Sequence, residues 1–216
     1  MPVIHLVRHG QASFGLPEYD VLSELGRRQA AVVGAELARR GLRDPLVVCG
    51  TLHRQYDTAE LLMKAAGLSG TPARDPHWNE YDHLRLLDRH GPPAPGAHAD
   101  SRAAQHLLDQ ALQAWVSDPD DDGWTAVSQG AFASLGDLVA SLGPGRDAVV
   151  VTSGGVLAAL CGRLLGTSAA GTVGLDRVAV NAAVTTLVAG GSGISLPAFN
   201  DHSHFTGELR ELLTYR

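Results

Sequence analysis

Residues 3–15, VIHLVRHGQASFG, set an apolar run directly against a cation, an imidazole and a glycine. Val3, Ile4, Leu6 and Val7 have the continuous apolar character of a strand covered on both faces, and Arg8, His9 and Gly10 follow with no linker between. A chain written this way must bury the strand and carry two titratable side chains to its end. The tripeptide alone also fits a strand closed by a turn, with Arg8 and His9 solvated at its mouth. Its chemistry therefore depends on what other segments bring near it.

Strand and helix signals alternate along the rest of the chain. Residues 15–21 read as a loop, and Ser23 is placed to cap a helix over ELGRRQAAVVGAELARR. Ala30, Val33 and Leu37 give that helix one apolar face, leaving Arg27 and Arg28 on the solvated side. PLVVCG (45–50) is a second doubly covered strand, followed by a helix with Arg54 in its first turn. A surface salt bridge to Asp57 at helical spacing is one reading of Arg54; a guanidinium above the carboxyl end of the sheet is the other. Residues 71–99 are dense in Pro, Gly and His and read as a loop-rich insertion, with His77, His83, His90 and His98 in a polar cover.

A helical pattern resumes over 101–116 and ends at SDPDDDG (117–123), read as a solvated turn because it lacks the longer alternating oxygen pattern and terminal Glu of a calcium loop. A helix over roughly 128–142 leads to AVVVT (148–152), then to Ser153, Gly154, Gly155 and an apolar helix. VTTLVAG (184–190) and ISLPAFND (194–201) supply two more strands. The alternation predicts an α/β fold, a three-layer sandwich whose mostly parallel central sheet is flanked by helices, in a single domain spanning 1–216. Ligands collect beyond the carboxyl ends of such strands, where three of them end in His9, in the turn before Arg54, and in Ser153.

A net charge of −6 gives no electrostatic case for nucleic acid, so an anionic ligand has to be held by a local cluster. No window supplies ~18 uninterrupted apolar residues, and no basic leader precedes the first strand, so no membrane partner is expected and the expected location is cytoplasmic. Cys49 and Cys161 lie in apolar segments and read as buried thiols; no metal site has a recognisable spacing. A His-x-His pair, His202 and His204, is read as a polar C-terminal loop, with a metal or a supplementary imidazole as the alternatives.

Arg-His-Gly after the opening strand, LSELGRRQA (22–30), CGTLHRQYDTAELL (49–62), Glu80 beyond a Pro-containing loop and VVVTSGG (149–155), in that order, resemble the histidine phosphatase superfamily, the phosphoglycerate-mutase-like enzymes. The resemblance implies that His9 accepts a phosphoryl group, that Arg8 and Arg54 grip it, and that Glu80 is the acid, with Asp82 its competitor. It implies that the 71–99 insertion covers the site. Gln11 and Ser13, beside the nucleophile, and Ser153 and Gly154, at the start of a helix, are the expected substrate contacts; for Gln11 and Ser13 a turn-stabilising role fits equally, and for Ser153 helix capping alone.

Three departures qualify the match. Ser153 stands where the family carries a second His, Gly15 stands where the mutase branch has Asn, and Tyr81-Asp82-His83-Leu84 replaces a Gly-rich segment. The implied function is a phosphohydrolase without metal or cofactor, acting on a phosphorylated small molecule or, alternatively, a phosphoprotein. A phosphate-binding regulatory module is the rival reading and a phosphoglycerate-type mutase the third. A homodimer is compatible with all three.

Overall fold

The computed structural model describes residues 1–13, 20–90, 101–118, 120–121, 123–143 and 145–215. Gly15, His98 and the 91–99 part of the insertion lie outside the described residues. Strand β1 (Val3–Arg8) runs between β4 (Ala148–Thr152) and β5 (Val184–Gly190), and its four inner residues are buried. The sheet continues through β2 (Leu46–Cys49) to the short β3 (Ala73–Arg74) on one side and to β6 (Gly193–Asp201) on the other, in the order β3-β2-β4-β1-β5-β6. The β2–β3, β2–β4 and β4–β1 pairings are parallel, and the β1–β5 and β5–β6 pairings antiparallel. The expected parallel core is therefore present, completed by an antiparallel flank.

Alternation within the apolar runs explains the layering. Val7, Val47, Cys49, Val149, Val151 and Val184 face α1 (Glu24–Arg39) and α2 (His53–Ala65), meeting Val33, Leu37, Ala59 and Leu62. Ile4, Leu6, Val48, Val150 and Leu187 face the other way, onto Leu135 of α5 (Gly123–Ser141) and Val156 and Leu160 of α6 (Gly154–Leu165). Strands buried on both faces cannot show polar alternation, which is why these segments read as unbroken apolar runs. Helices α3 (His83–His90), α4 (Ser101–Ser117) and α7 (Ala169–Val178) form a separate cluster around Leu86, Leu108, Leu112 and Val173, with Tyr81, Trp115 and Trp124 against it.

Ser23 caps α1 as expected, its hydroxyl accepting from the Gly26 N–H at 3.0 Å. Both cysteines are free and buried, and burial pushes their thiols up, Cys49 to about 11 and Cys161 to about 12. Three expectations need correction. The 71–90 stretch is structured, holding β3, a 3-10 turn at Pro76–Trp78 and α3, because Trp78 is buried in the core and Asp82 caps α3 by accepting from Leu84 and Arg85 N–H. Asp121 in the acidic run is buried rather than solvated: it caps α5 through the Gly123 N–H at 2.8 Å and pairs with His90 and Arg89. That cap also starts α5 at residue 123 rather than 128. Helix α7 has no predicted counterpart, since its two glycines and short apolar face leave little periodicity.

The loop after β1 is clamped onto α1 by two glycines. A Cβ on Gly10 would strike the Gly26 carbonyl, and one on Gly26 would strike the Gln11 backbone. Gly26→Ala is expected to lower stability by about 1–3 kcal/mol, as overpacking against backbone does, and to displace the residues that follow β1; a denaturant titration unchanged from wild type would contradict the close approach.

Candidate active site

Three parallel strands deliver the site residues to one edge of the sheet. Register pairs Arg8 with Thr152 and Cys49 with Val151, so His9, the turn after β2 and Ser153 are neighbours at the carboxyl ends. His9 is buried; its N–H donates to the Thr152 carbonyl at 2.8 Å, and its carbonyl accepts from Asn181 Nδ2 at 3.1 Å. The ring is held as firmly as the backbone. Nδ1 lies 2.7 Å from the Gly10 carbonyl, an acceptor only, so Nδ1 carries the proton and Nε2 carries the lone pair in the neutral ring. Arg54 Nε donates to that Nε2 at 3.2 Å. Burial, then the charges of Arg54 and Arg8, hold the imidazole well below its ordinary pKa of 6.5, against the opposing Gly10 bond.

Arg54 is not paired with Asp57, which faces Arg27 at 3.8 Å. Its Nη1 donates to Asp20 Oδ1 at 2.6 Å, and Asp20 Oδ2 accepts from the His53 N–H at 2.7 Å, so one carboxylate caps α2 and orients the guanidinium. Thr58, one turn on, accepts from the Gly10 N–H at 3.0 Å and donates to the Arg54 carbonyl at 2.6 Å, locking α2 to the residue after the imidazole. Arg8 Nη1 donates to the carbonyls of Ala179 and Tyr215, the latter at 2.7 Å. Two backbone carbonyls thereby orient Arg8 Nη1.

Glu80 reaches this edge because the segment before it is pinned. The Trp78 carbonyl accepts from Gln55 Nε2 at 2.8 Å and Thr152 Oγ1 at 2.7 Å, and Asn79 exchanges hydrogen bonds with Thr51. Glu80 Oε2 then accepts from the Gly155 N–H at 3.2 Å, where a Cβ on residue 155 would overlap Oε1 and the Tyr81 ring. Burial and the Asp176 carboxylate push the Glu80 carboxyl up to about 7, with Gly155 N–H, Arg54 and Arg8 pulling the other way.

The remaining sequence-derived residues divide. Asp82 is occupied as the α3 cap. Ser153 is fully buried at the N-cap position of α6 but makes no side-chain cap bond; its Oγ accepts from Gln55 Nε2 at 2.9 Å instead. Gly154 begins α6 beside Arg8. Gln11 and Ser13 lie on the loop from His9, where the bonds Ser23 Oγ to Gln11 Oε1 (2.9 Å) and Ser13 N–H to the Val21 carbonyl (2.8 Å) stabilise the turn. His202 and His204 are directed to the carbonyls of Asn200 and Ala182.

Asp20, Gln55, Asp176 and Asn181 were not singled out from sequence; each is an isolated polar residue whose partner is remote in the chain. Among the described residues, His90, Asp118 and Asp121 bring metal-type ligand atoms within 4.8 Å of one another, but Asp121 is already engaged by Arg89, His90 and the Gly123 amide.

A buried imidazole at the end of a central strand, two guanidinium groups around it and a raised carboxyl nearby in an α/β protein offer the donors and charge that a tetrahedral anion takes. The chain belongs to the histidine phosphatase superfamily (branch 1), whose family model matches residues 4–202. No curated protein sequence matches it. Among solved structures, a mycobacterial glucosyl-3-phosphoglycerate phosphatase in complex with VO3 is 26% identical, with a TM-score of 0.65, covering 93% of this chain and 100% of that one. A mutant phosphoserine phosphatase of Entamoeba histolytica in complex with phosphoserine shares the fold at 19% identity and a TM-score of 0.66, covering 95% of this chain and 100% of that one. The family and the mycobacterial neighbour support a phosphatase function in general. Among the described residues no helix is long and apolar enough to cross a membrane.

Gln55 joins the Trp78 carbonyl to Ser153 with no exposure to water, so removing its amide takes the donor from the buried Ser153 Oγ and leaves the Trp78 carbonyl to Thr152. Gln55→Leu is expected to cost about 1–3 kcal/mol of stability, read as a lower denaturant midpoint at unchanged slope.

Proposed function

We propose that the protein hydrolyses a phosphomonoester in two steps through a phosphohistidine on His9. The observation that carries this reading is the His9 tautomer: with Nδ1–H donated to Gly10, the lone pair lies on Nε2, where it accepts from Arg54 Nε, and burial beside two cations keeps it unprotonated at neutral pH. An arriving phosphoryl dianion takes over the Arg54 Nε–H, which Nε2 otherwise accepts. The Nε2–P bond forms as the P–O bond to the leaving group breaks, and Glu80 gives its proton to the departing oxygen. Water then attacks phosphorus, the P–N bond breaks, and Glu80 accepts the water proton, releasing inorganic phosphate and neutral His9.

Arg8 and Arg54 supply the positive charge over the equatorial oxygens, so the scheme is proposed to run without a metal. Glu80 is assigned the acid role over Asp82 because its carboxyl is raised and the other is committed to α3. The proposed substrate is a phosphorylated small molecule, the class named for the mycobacterial neighbour, and the proposed location cytoplasmic.

One observation favours a second reading, a phosphate-binding module: Ser153, where the family places a second His, is turned to Gln55. Losing a charge-assisted bond to the phosphoryl group costs about 1.5–3 kcal/mol, roughly 10–150-fold in rate if felt only in the transition state. That weakens turnover without removing the nucleophile.

Rapid mixing with a phosphoester panel and an alkaline quench is expected to leave phosphate on His9, detected by mass spectrometry and lost in His9→Ala. No label, no turnover and thermal stabilisation by phosphate would select the binding module. With alkyl phosphates, kcat/KM is expected to fall on the alkaline side of about pH 7, because Glu80 must be protonated to act as acid and its raised pKa marks where that proton is lost. The acid limb is expected below pH 6.5, since His9 must be neutral and its pKa is depressed. An alkaline limb that persists unchanged in Glu80→Gln would remove Glu80 from the reaction.

A further inference from the structure

The first turn of α6 carries two glycines, and two carboxylates from different parts of the chain fill the spaces their side chains would take. At Gly155 the space belongs to Glu80, which also accepts the residue's N–H. At Gly154 a Cβ would lie 2.6 Å from Asp176 Oδ1, with Arg8 Nε and Cζ at 3.6 and 3.7 Å from the same point. Asp176 sits in the last turns of α7, whose position is fixed from outside by the Arg177–Asp109 ion pair to α4 and by Val173 in the α3–α4 cluster. Nothing in the proposed reaction uses α7, yet it delivers a carboxylate to the acid's side of the phosphate pocket.

We propose that Asp176 is a positioning residue acting through Glu80: its fixed negative charge at Gly154, beside Arg8, keeps Glu80 in the proton-bearing form from which it can protonate a leaving group, and so sets the upper pH limit of the reaction. This rests on the reading of Glu80 as the acid. Two carboxyls flanking one helix turn resist being ionised together. For Glu80, burial is the largest cause that raises the carboxyl, and the Asp176 charge is second. The other groups facing Glu80 are Arg8 at the end of β1, Arg54 on α2 and the Gly155 N–H on α6; His9 is neutral at the pH concerned. All three oppose Asp176, so without its charge they favour Glu80 ionised at lower pH.

The test is Asp176→Asn in the full chain, with Asp176→Ser as a second variant. Two quantities are read: the titration of the Glu80 carboxyl by carbon NMR, assigned with Glu80→Gln, and the pH profile of kcat/KM on an alkyl phosphate. Both the Glu80 midpoint and the alkaline limb are expected to move down by about one pH unit or more, giving roughly a tenfold loss of kcat/KM above neutral pH for each unit, recovered on acidification. A higher KM with an unmoved midpoint would overturn the proposal and assign Asp176 only to holding Arg8. A midpoint that moves in a protein without turnover would uphold the carboxylate pair and sink the phosphatase reading, so the two failures are distinguishable.

Discussion

A single hydrogen bond, from His9 Nδ1 to the carbonyl of the next residue at 2.7 Å, is what the rest of the site depends on. A neutral imidazole has one donor and one acceptor, and fixing the donor fixes where the lone pair points. That bond exists only because the chain after β1 turns back sharply enough for the Gly10 carbonyl to reach the ring. The turn is held by Gly10 against Gly26, by Thr58 on the Gly10 N–H and by Asn181 on the His9 carbonyl. Elements α1, α2 and the segment before β5 thus converge on one peptide, and the direction of the His9 lone pair becomes a consequence of helix packing.

The second constraint is charge. Two guanidinium groups stand beside a buried imidazole in a chain of net charge −6, a local concentration of cations without an overall positive protein. Their orientation is settled by different means. Arg54 has the Asp20 carboxylate, which also caps α2, whereas Arg8 Nη1 is held by two backbone carbonyls. The same cations depress His9 and oppose the rise of Glu80, yet the two groups end on opposite sides of their ordinary values. Desolvation explains this: it disfavours whichever form is charged, the imidazolium of one and the carboxylate of the other, and in both it is the largest cause. Desolvation thus moves the two groups apart, the imidazole toward its neutral form and the carboxyl toward its protonated form, and the Asp176 charge adds to the second.

Legibility in the sequence followed the range of the interactions. β1, β2 and β4 could be read from unbroken apolar runs and α1 from its apolar face, because these are local signals, and the glycines and arginine at strand ends marked the edge proposed to take a ligand. Helix α7 and the ordered 71–90 stretch could not, because they are held by caps and by tertiary burial of Trp78, Leu86 and Val173 rather than by propensity. Among site residues, those in contiguous motifs were found. Asp20, Asp176 and Asn181 are single polar residues whose meaning lies in a partner many positions away, 172 in the case of Asn181 and His9, and Gln55, although inside the 49–62 motif, likewise takes its meaning from Trp78 and Ser153. Arg54 shows the limit from the other side: helical spacing offered Asp57, and the fold supplied Asp20.

Ser153 changes how the site divides its labour. An imidazole there would bring a second donor, with charge when protonated, to an oxygen of the phosphoryl group. A serine hydroxyl is shorter and neutral, and this one accepts a hydrogen bond from Gln55, so the position becomes a strut between α2 and α6. The strut has its own effect on geometry: the same Gln55 amide holds the Trp78 carbonyl, two residues before Glu80, so the acid and α6 are set from one point on the helix that carries Arg54. On the phosphatase reading, the charge on the transferred group then falls to Arg8, Arg54 and the α6 N-terminus. One of the first amides of that helix is already committed to Glu80. Stabilisation of the phosphoryl group and protonation of the leaving group therefore draw on the same turn of backbone, and a change at Ser153, Gln55 or Glu80 is felt by both.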